Sequence, residues 1–569
     1  MGVRRAVDLV LNAARDRQPE EIIHTYGPLI HNNQVLEILE KRGIRCLHDL
    51  EEAEQGRIAI RAHGIPPQQR RAIKDKGLQI INATCPRVGK VQGIIKKHSL
   101  RGYEVIIVGD DNHAEVIGLK GFANGRAHVL NTTEQVDQLP KMEKLLVVAQ
   151  TTQDEQAFHQ IAARIEERYP EAKIYNTICD STHNRQEEVR ALCDEVDAVV
   201  VVGGRHSGNT KRLAEIAAST GIPTFHVETE AELDREQMQN FNVVGVTAGA
   251  STPHWLLRRV VHRLESIHPM GVKPLFMVLD RYLRFFLQSN LYVAAGAGCL
   301  SYAATVLQGI KPSLADFFIA FFYVFGMHVL NRYADKASRF NDPSRAALYE
   351  RYKLPFFLAS LSSVVVALIF AKAQGTSIFL ALLAMTVLGL LYSVRIFPES
   401  WLRVVKVTKL KDIPASKTIF IAGAWSVVAT LLPALRQDHA LGFQTVFALL
   451  VVFALVFVRS ALFDIVDIQG DRLVGEETLP IVIGEKRSKR ILLYSVFGIA
   501  FLLLVGPALK LATGFSYMLL FTCLYMGCCL YVHRREFIRP GSIHFETLVE
   551  SSFYFSGGLA VLYQFIRNL

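Results

Sequence analysis

Between Leu291 and Ile566 the chain passes through nine long apolar stretches, and these decide what its second half can be. They run Leu291 to Gly309, Leu314 to Leu330, Pro355 to Ala371, Ser377 to Val394, Thr418 to Leu435, Gly442 to Val458, Ile491 to Leu509, Phe515 to Val532 and Val549 to Ile566. Each is long enough to cross roughly 30 Å of hydrocarbon as a helix. The connecting loops alternate in basic residues. One set carries Arg281, Arg284, Arg332, Arg339, Arg345, Arg403, Lys409, Lys411, Arg472, Arg487, Arg490, Arg534 and Arg535, whereas the other holds single residues such as Lys311, Lys372, Arg436 and Lys510. Loops rich in Lys and Arg stay on the cytoplasmic side. The pattern therefore predicts a multi-pass protein of the inner (cytoplasmic) membrane, with its first half in the cytoplasm and its C-terminus outside.

The charge distribution separates the halves again. From Gly271 onward there are 29 Lys and Arg against 17 Asp and Glu, and before it 34 against 36, so the net +10 of the 569 residues belongs to the second half. These basic residues are interleaved with apolar runs and are not gathered on a polar face, which argues against a nucleic-acid partner. The start of the chain lacks a signal-peptide pattern, so the eight cysteines are read in a reducing setting, as ligands or fillers and not as disulfides.

The first half alternates strand-like and helix-like segments. Amphipathic stretches that open on acidic residues, such as Asp154 to Tyr169, separate buried-strand runs such as Glu104 to Val108 and Ala198 to Val202. A threefold repeat lies within it. Strand, loop and His recur in YGPLIHN at His31, VIIVGDDNHAE at His113 and VVVVGGRHSGN at His206. Each unit closes on a strand ending in a small polar residue or His, in IRAHG at His63, VVAQTT at Thr151 and VTAGAS at Ser251. Three similar α/β lobes packed about a pseudo-threefold axis would bring these strand ends into one central pocket. Cys85 stands 28 residues before His113 and Cys179 stands 27 before His206, which are equivalent places in the repeat. Two convergent thiolates beside three His point to a metal site, either zinc or an iron-sulfur cluster. Cys46, Cys193, Cys299, Cys523, Cys528 and Cys529 read as packing residues.

In order over Gly2 to about Ile267, the strings GVRRAV, GPLIHN, RAHG, ATCP, HAEV, AQTT, NTICDSTHNRQ, HSGNT and GVTAGAS resemble the 4-hydroxy-3-methylbut-2-enyl diphosphate reductases, the LytB family. The resemblance implies a reductive dehydroxylation that closes the methylerythritol phosphate pathway and gives isopentenyl and dimethylallyl diphosphate. It implies a 4Fe-4S cluster held by three Cys thiolates, two of them Cys85 and Cys179, and an external electron donor of the ferredoxin or flavodoxin class. Removing an allylic hydroxyl as water needs a proton, and Glu115 of HAE fits the general acid, in a closed pocket that raises its pKa. Thr151 fits a hydroxyl that relays the proton or orients the substrate alcohol. No Lys/Arg cluster sits in these motifs, so the diphosphate is expected to meet His31, His63 and His113, the donors Ser207, Asn209 and Ser251, and the Gly208 amide. In the family pattern GFC and one variable residue precede GVxRAV, and Met1 stands in the variable place. The Cys that would match His31 is therefore expected upstream of Met1, and two thiolates alone should assemble an unstable cluster or none.

The second half carries two acidic motifs, NRYADKASRFND after the second run and DIVDIQGDRLVGEETLP after the sixth, both in loops read as cytoplasmic. Carboxylates three or four residues apart on a helix face one cavity and can hold Mg²⁺ against a diphosphate. Nine spans with these motifs resemble the UbiA-type intramembrane prenyltransferases over about Pro274 to Leu569. The resemblance implies transfer of a prenyl group from an allylic diphosphate to a lipophilic acceptor, with Asn331, Asp335, Asp464, Asp467 and Asp471 as the Mg²⁺ residues and Lys409, Lys411 and Arg472 on the diphosphate. The usual NDxxDxxxD appears here as Asn331, Arg332, Asp335 and Arg339, with two acidic positions turned basic, and Asp342 stands close by in a shifted frame.

The expected architecture is thus an α/β domain over residues 1–268, with three lobes about a cluster site, followed by an all-α nine-helix transmembrane bundle over 274–569. The expected function is an isoprenoid-precursor reductase fused to a prenyltransferase-like domain. Two alternatives stand beside it: a membrane-tethered reductase whose second half is only an anchor, and a zinc hydrolase in the first half.

Overall fold

A computed structural model describes residues 2–15, 21–53, 55–267, 274–334, 343–392, 413–436, 442–474, 476–535, 537–538 and 541–568. The chain divides into two compact units, Met1–Gly271 and Val272–Leu569.

The first unit is α/β. Its runs of Val, Ile and Ala are buried on both faces, as strands covered by helices must be. Eleven strands form three parallel sheets. In the first, β1 (Ile23–Tyr26) lies between β2 (Ile44–Leu47) and β3 (Arg57–Ile60), and β3 pairs onward with β4 (Gln79–Asn82). The second repeats that order with β5 (Glu104–Val108) between β6 (Ala127–Leu130) and β7 (Leu145–Ala149), and β8 (Lys173–Tyr175) outside β7. The third places β9 (Ala198–Val202) between β10 (Thr224–Val227) and β11 (Val244–Ala248). Parallel neighbours require crossovers, which helices such as Asn33–Lys41, Glu155–Arg168 and Gly208–Ser219 supply. The core follows from the same pattern: Val105 to Val108 and Ala198 to Val202 are wholly buried, packed under Val91, Ile95 and Leu119 in one sheet and Val189 and Leu213 in another.

The second unit is helical. Seven of its described helices are long and apolar enough to cross a membrane: Leu291–Gln308, Leu314–Tyr333, Lys353–Gln374, Ser416–Leu435, Phe443–Arg472, Glu485–Val505 and Phe515–Arg535. Two further helices fall outside that set. Thr376–Leu391 has 16 residues, and Ile543–Asn568 has 26 but turns polar residues such as Glu550, Ser552 and Ser556 into the bundle. Without a hydrophobic drive between helices in lipid, close approach and polar pairing hold such bundles together. Gly298 permits one such approach, since a Cβ there would stand 2.6 Å from the Phe317 ring. Arg459 supplies the pairing. Its guanidinium binds Glu550, with Nε donating at 3.0 Å, and lies 5.6 Å from the Trp425 ring centroid and 5.0 Å from that of Phe463.

Candidate active site

Parallel strands place their following loops on one side, and in the first unit those loops carry the reactive side chains. His31 follows β1, His63 follows β3 and His113 follows β5. Their ring centroids lie 4.8 Å (His31–His63), 5.3 Å (His63–His113) and 6.1 Å (His31–His113) apart. One nitrogen of each lies within 4.8 Å of the others, a spacing that suits a metal ion as well as an anion. Burial holds all three neutral: it pushes His31 down to about 4, with His113 and Arg61 adding repulsion, and pushes His63 well below the ordinary imidazole range. His113 is lowered by burial too, against the pull of Asp110. His63 Nδ1 is buried without a hydrogen-bond partner.

Beside this cluster sits Glu115, in the first turn of the helix Ala114–Lys120. Only 1% of it is exposed, and Thr151, at the end of β7, donates to its carboxyl twice at 2.8 Å, from the backbone N–H and from Oγ1. Burial raises its pKa to about 7, and the two Thr151 bonds, which favour the charged form, hold it from rising further. The Glu115 N–H donates to His113 Nδ1 at 3.2 Å, which ties the acid to the histidine group. Ser207 caps the helix Gly208–Ser219, accepting from the Thr210 N–H. Gly208 abuts the same cluster, since a Cβ there would stand 3.0 Å from His113 Nε2. Ser251 Oγ lies 3.4 Å from both the His31 carbonyl and Ser207 Oγ, and the buried Asn209 Nδ2 has no partner.

Cys85 and Cys179 occupy matching places, each at the N-cap of a helix, Pro86–Ser99 and Asp180–Cys193. Each is bonded through its backbone to the histidine and acid region: the Cys85 N–H donates to the Ala62 carbonyl at 2.9 Å and the Cys179 N–H to the Thr151 carbonyl at 3.0 Å. An ion pair between Arg87 and Asp180 joins the two helix starts. At the first turn of Gly2–Arg15, Gly2 lies against Cys85, where a Cβ would run into the sulfur. Two thiols at adjoining helix starts could hold an iron-sulfur cluster, whose usual protein ligands are thiolates.

Sequence reasoning passed over one residue of this region. Arg61, in the quoted string RAHG, lines the same cavity of about 460 Å³ as His31 and His113. Its guanidinium lies over Gly27, and its charge adds to the burial that pushes His31, His63 and His113 down. The signal was present in the motif, but a basic cluster in sequence was the wrong thing to look for. One cation placed by the fold is enough.

In the second unit, Asp464, Asp467 and Asp471 share the helix Phe443–Val474 at spacings of three and four, and Asp464 and Asp471 are buried, Asp471 at 1% exposure. Thr418 Oγ1 donates to Asp464, and Lys417 Nζ pairs with Glu476 at 2.9 Å, two partners the sequence did not single out. Asn331 and Arg332 lie in the last turn of Leu314–Ala334, with Arg332 5.4 Å from the Tyr349 ring centroid. Asp335, Asp342, Lys409 and Lys411 lie outside the described residues. Arg472 is half-buried at the end of the Asp helix.

Fold and site together define a protein of two parts: a parallel-sheet α/β unit with a buried acid among histidines and paired thiols, and a multi-pass helical membrane unit with a row of aspartates. The LytB protein family model matches residues 1–265, and the UbiA prenyltransferase family model matches residues 291–542. The 4-hydroxy-3-methylbut-2-enyl diphosphate reductase of Alkaliphilus oremlandii is 38% identical over 267 residues, 47% of this chain and 95% of that protein. The enzyme of the same name from Geobacter sulfurreducens is 42% identical over 265 residues, 47% of this chain and 93% of that one. A UbiA homolog from Archaeoglobus fulgidus, solved bound to GPP and Mg²⁺, is 14% identical, covering 50% of this chain and 98% of that chain at a TM-score of 0.38. Through its first half the chain belongs to the 4-hydroxy-3-methylbut-2-enyl diphosphate reductase family.

Proposed function

We propose that the first unit reduces 4-hydroxy-3-methylbut-2-enyl diphosphate to isopentenyl and dimethylallyl diphosphate. The observation that carries this reading is the buried Glu115, its carboxyl clamped by Thr151 and its backbone N–H donating to His113. Loss of an allylic hydroxyl as water takes two electrons, one proton on the leaving oxygen and one on carbon. With its pKa near 7, Glu115 is partly protonated at neutral pH and can deliver the first of these, while Thr151 Oγ1 sits within a hydrogen bond of the proton to be moved. His31, His63, Ser207, Asn209 and Ser251 converge as donors for a diphosphate, and a hydrolytic zinc on the three His would leave that convergence without a purpose. Cys85 and Cys179 would hold an iron-sulfur cluster, which supplies the electrons when fed by a ferredoxin- or flavodoxin-class donor. The repeated strand order of the three sheets supports three lobes about this site.

For the second unit we propose Mg²⁺-dependent prenyl transfer from an allylic diphosphate to a lipophilic acceptor, across a bundle of nine spans. Asp464 and Asp471, buried as carboxylates that require compensating positive charge, support a metal held by Asp464, Asp467 and Asp471, with Asn331 and Asp335 as its further ligands. The basic loops support a cytoplasmic side for the reductase unit. Analysis of iron, acid-labile sulfide and zinc in anaerobically prepared native membranes enriched in the protein tests the cofactor. Iron with sulfide is expected, at the low occupancy that two thiolates would hold, and stoichiometric zinc with neither would overturn the reductase reading.

A further inference from the structure

The three histidines present a problem of charge. A diphosphate brings about three negative charges at neutral pH, yet burial leaves these imidazoles neutral, so they offer hydrogen bonds and no net attraction. The cavity that His31 and His113 line opens at the carboxyl ends of strands from all three sheets, and its walls also include Asn112, His206 and Glu228. Among the described residues, Arg61 is the one permanent cation lining it. It is placed deliberately by the backbone. Gly27, at φ +70°, has no Cβ, and one there would stand 3.2 Å from Arg61 Nη1, so the glycine makes the room in which the guanidinium lies. Arg61 Nε donates to the Gly64 carbonyl at 3.4 Å, and among the described residues no carboxylate pairs with it. Glu228, the one carboxylate on the wall, already accepts the Arg205 N–H at 2.6 Å. A half-buried guanidinium that no carboxylate pairs among the described residues, set beside neutral imidazoles, can take an anion.

We propose that Arg61 is the charge that captures the diphosphate of the incoming substrate, binding its oxygens at the mouth of the histidine cluster. The inference rests on the reading of the histidine cluster as a diphosphate site and adds the cation that its neutral imidazoles lack. A guanidinium also reaches two oxygens at once, which neutral imidazoles cannot do singly. The test is calorimetric titration of the full chain in detergent with inorganic pyrophosphate, in Mg²⁺-free buffer with a chelator so that the Asp site of the second unit does not bind it, comparing wild type, Arg61→Gln and Arg61→Lys at fixed ionic strength, with thermal unfolding of each as the fold control. Arg61→Gln should weaken binding by about tenfold to a hundredfold, the scale of a charge-assisted pair in a partly buried site. Arg61→Lys should recover much of the loss, because it restores the charge without the fork. If wild type binds pyrophosphate and Arg61→Gln binds it within twofold of wild type, the role of Arg61 is refuted while the diphosphate reading stands. If wild type binds none, both fail.

Discussion

Replacing Glu115 by Gln removes the transferable proton and changes little else. The two side chains have the same shape, the amide oxygen can accept the Thr151 N–H as the carboxyl does at 2.8 Å, and the amide N–H₂ can donate to a rotated Thr151 hydroxyl. What goes is general acid catalysis, so turnover should fall by about 10² or more. The pH profile of the wild type follows from the same carboxyl. Its protonated form is the active one, so kcat should decline as pH rises through about 7, and the Gln variant should lose that limb. Stability provides the control. Below the ordinary value of 4.5 the carboxyl is neutral in folded and unfolded chains alike, and between 4.5 and about 7 only the unfolded chain ionises, so wild-type stability is lost across that window. Above it the cost is constant, at about 3 kcal/mol for a shift of this size. Glu115→Gln escapes the cost and should unfold later than wild type at pH 8. The assay is anaerobic turnover of iron-reconstituted full chain with a reduced dye across pH 5.5 to 9, alongside thermal unfolding. Near-normal turnover in a variant of unchanged iron content would refute the assignment.

Thr151→Val deletes the Oγ1 bond that favours the charged carboxyl, so the alkaline limb of the kcat profile should move to higher pH; an unmoved limb would detach Thr151 from Glu115. Asp467→Ala or Asp471→Ala should abolish Mg²⁺-dependent prenyl transfer by the full chain, read with a radiolabelled allylic diphosphate, and leave reductase turnover in place; joint loss of both would show that the two units cannot be separated by mutation. Arg459→Ala strands Glu550 in the bundle and should lower stability by about 3–5 kcal/mol, whereas Arg459→Met with Glu550→Leu should recover most of it, measured by thermal unfolding in detergent.

Much of this was legible because the features are local. The runs Glu104 to Val108 and Ala198 to Val202 are strands where the apolar pattern put them, since a strand buried on both faces needs only neighbours of its own kind. Cys85 and Cys179 stand at equivalent helix starts because the repeat in spacing is a repeat in structure. Thr151 was legible from its motif, but its bond to Glu115, across 36 residues, was not, and neither was Thr418, which reaches Asp464 across 46. Arg61 was hidden by a different cause. Its charge counts only once β3 ends beside the loops of β1 and β5, and a search for neighbouring basic residues in the chain cannot find it. The apolar run at Val549 to Ile566 also concealed a function of its helix, which presents Glu546 to Arg345 and Glu550 to Arg459 as ion pairs.

The account stands most directly on what happens to the hydroxylated allylic diphosphate. Native membranes carrying the full chain, prepared without oxygen and given that substrate with a reduced dye, should consume two electrons per molecule and yield isopentenyl and dimethylallyl diphosphate, identified by mass and chromatography. Release of the free alcohol and pyrophosphate with no dye oxidised would contradict it, and would make the histidine site a hydrolytic one.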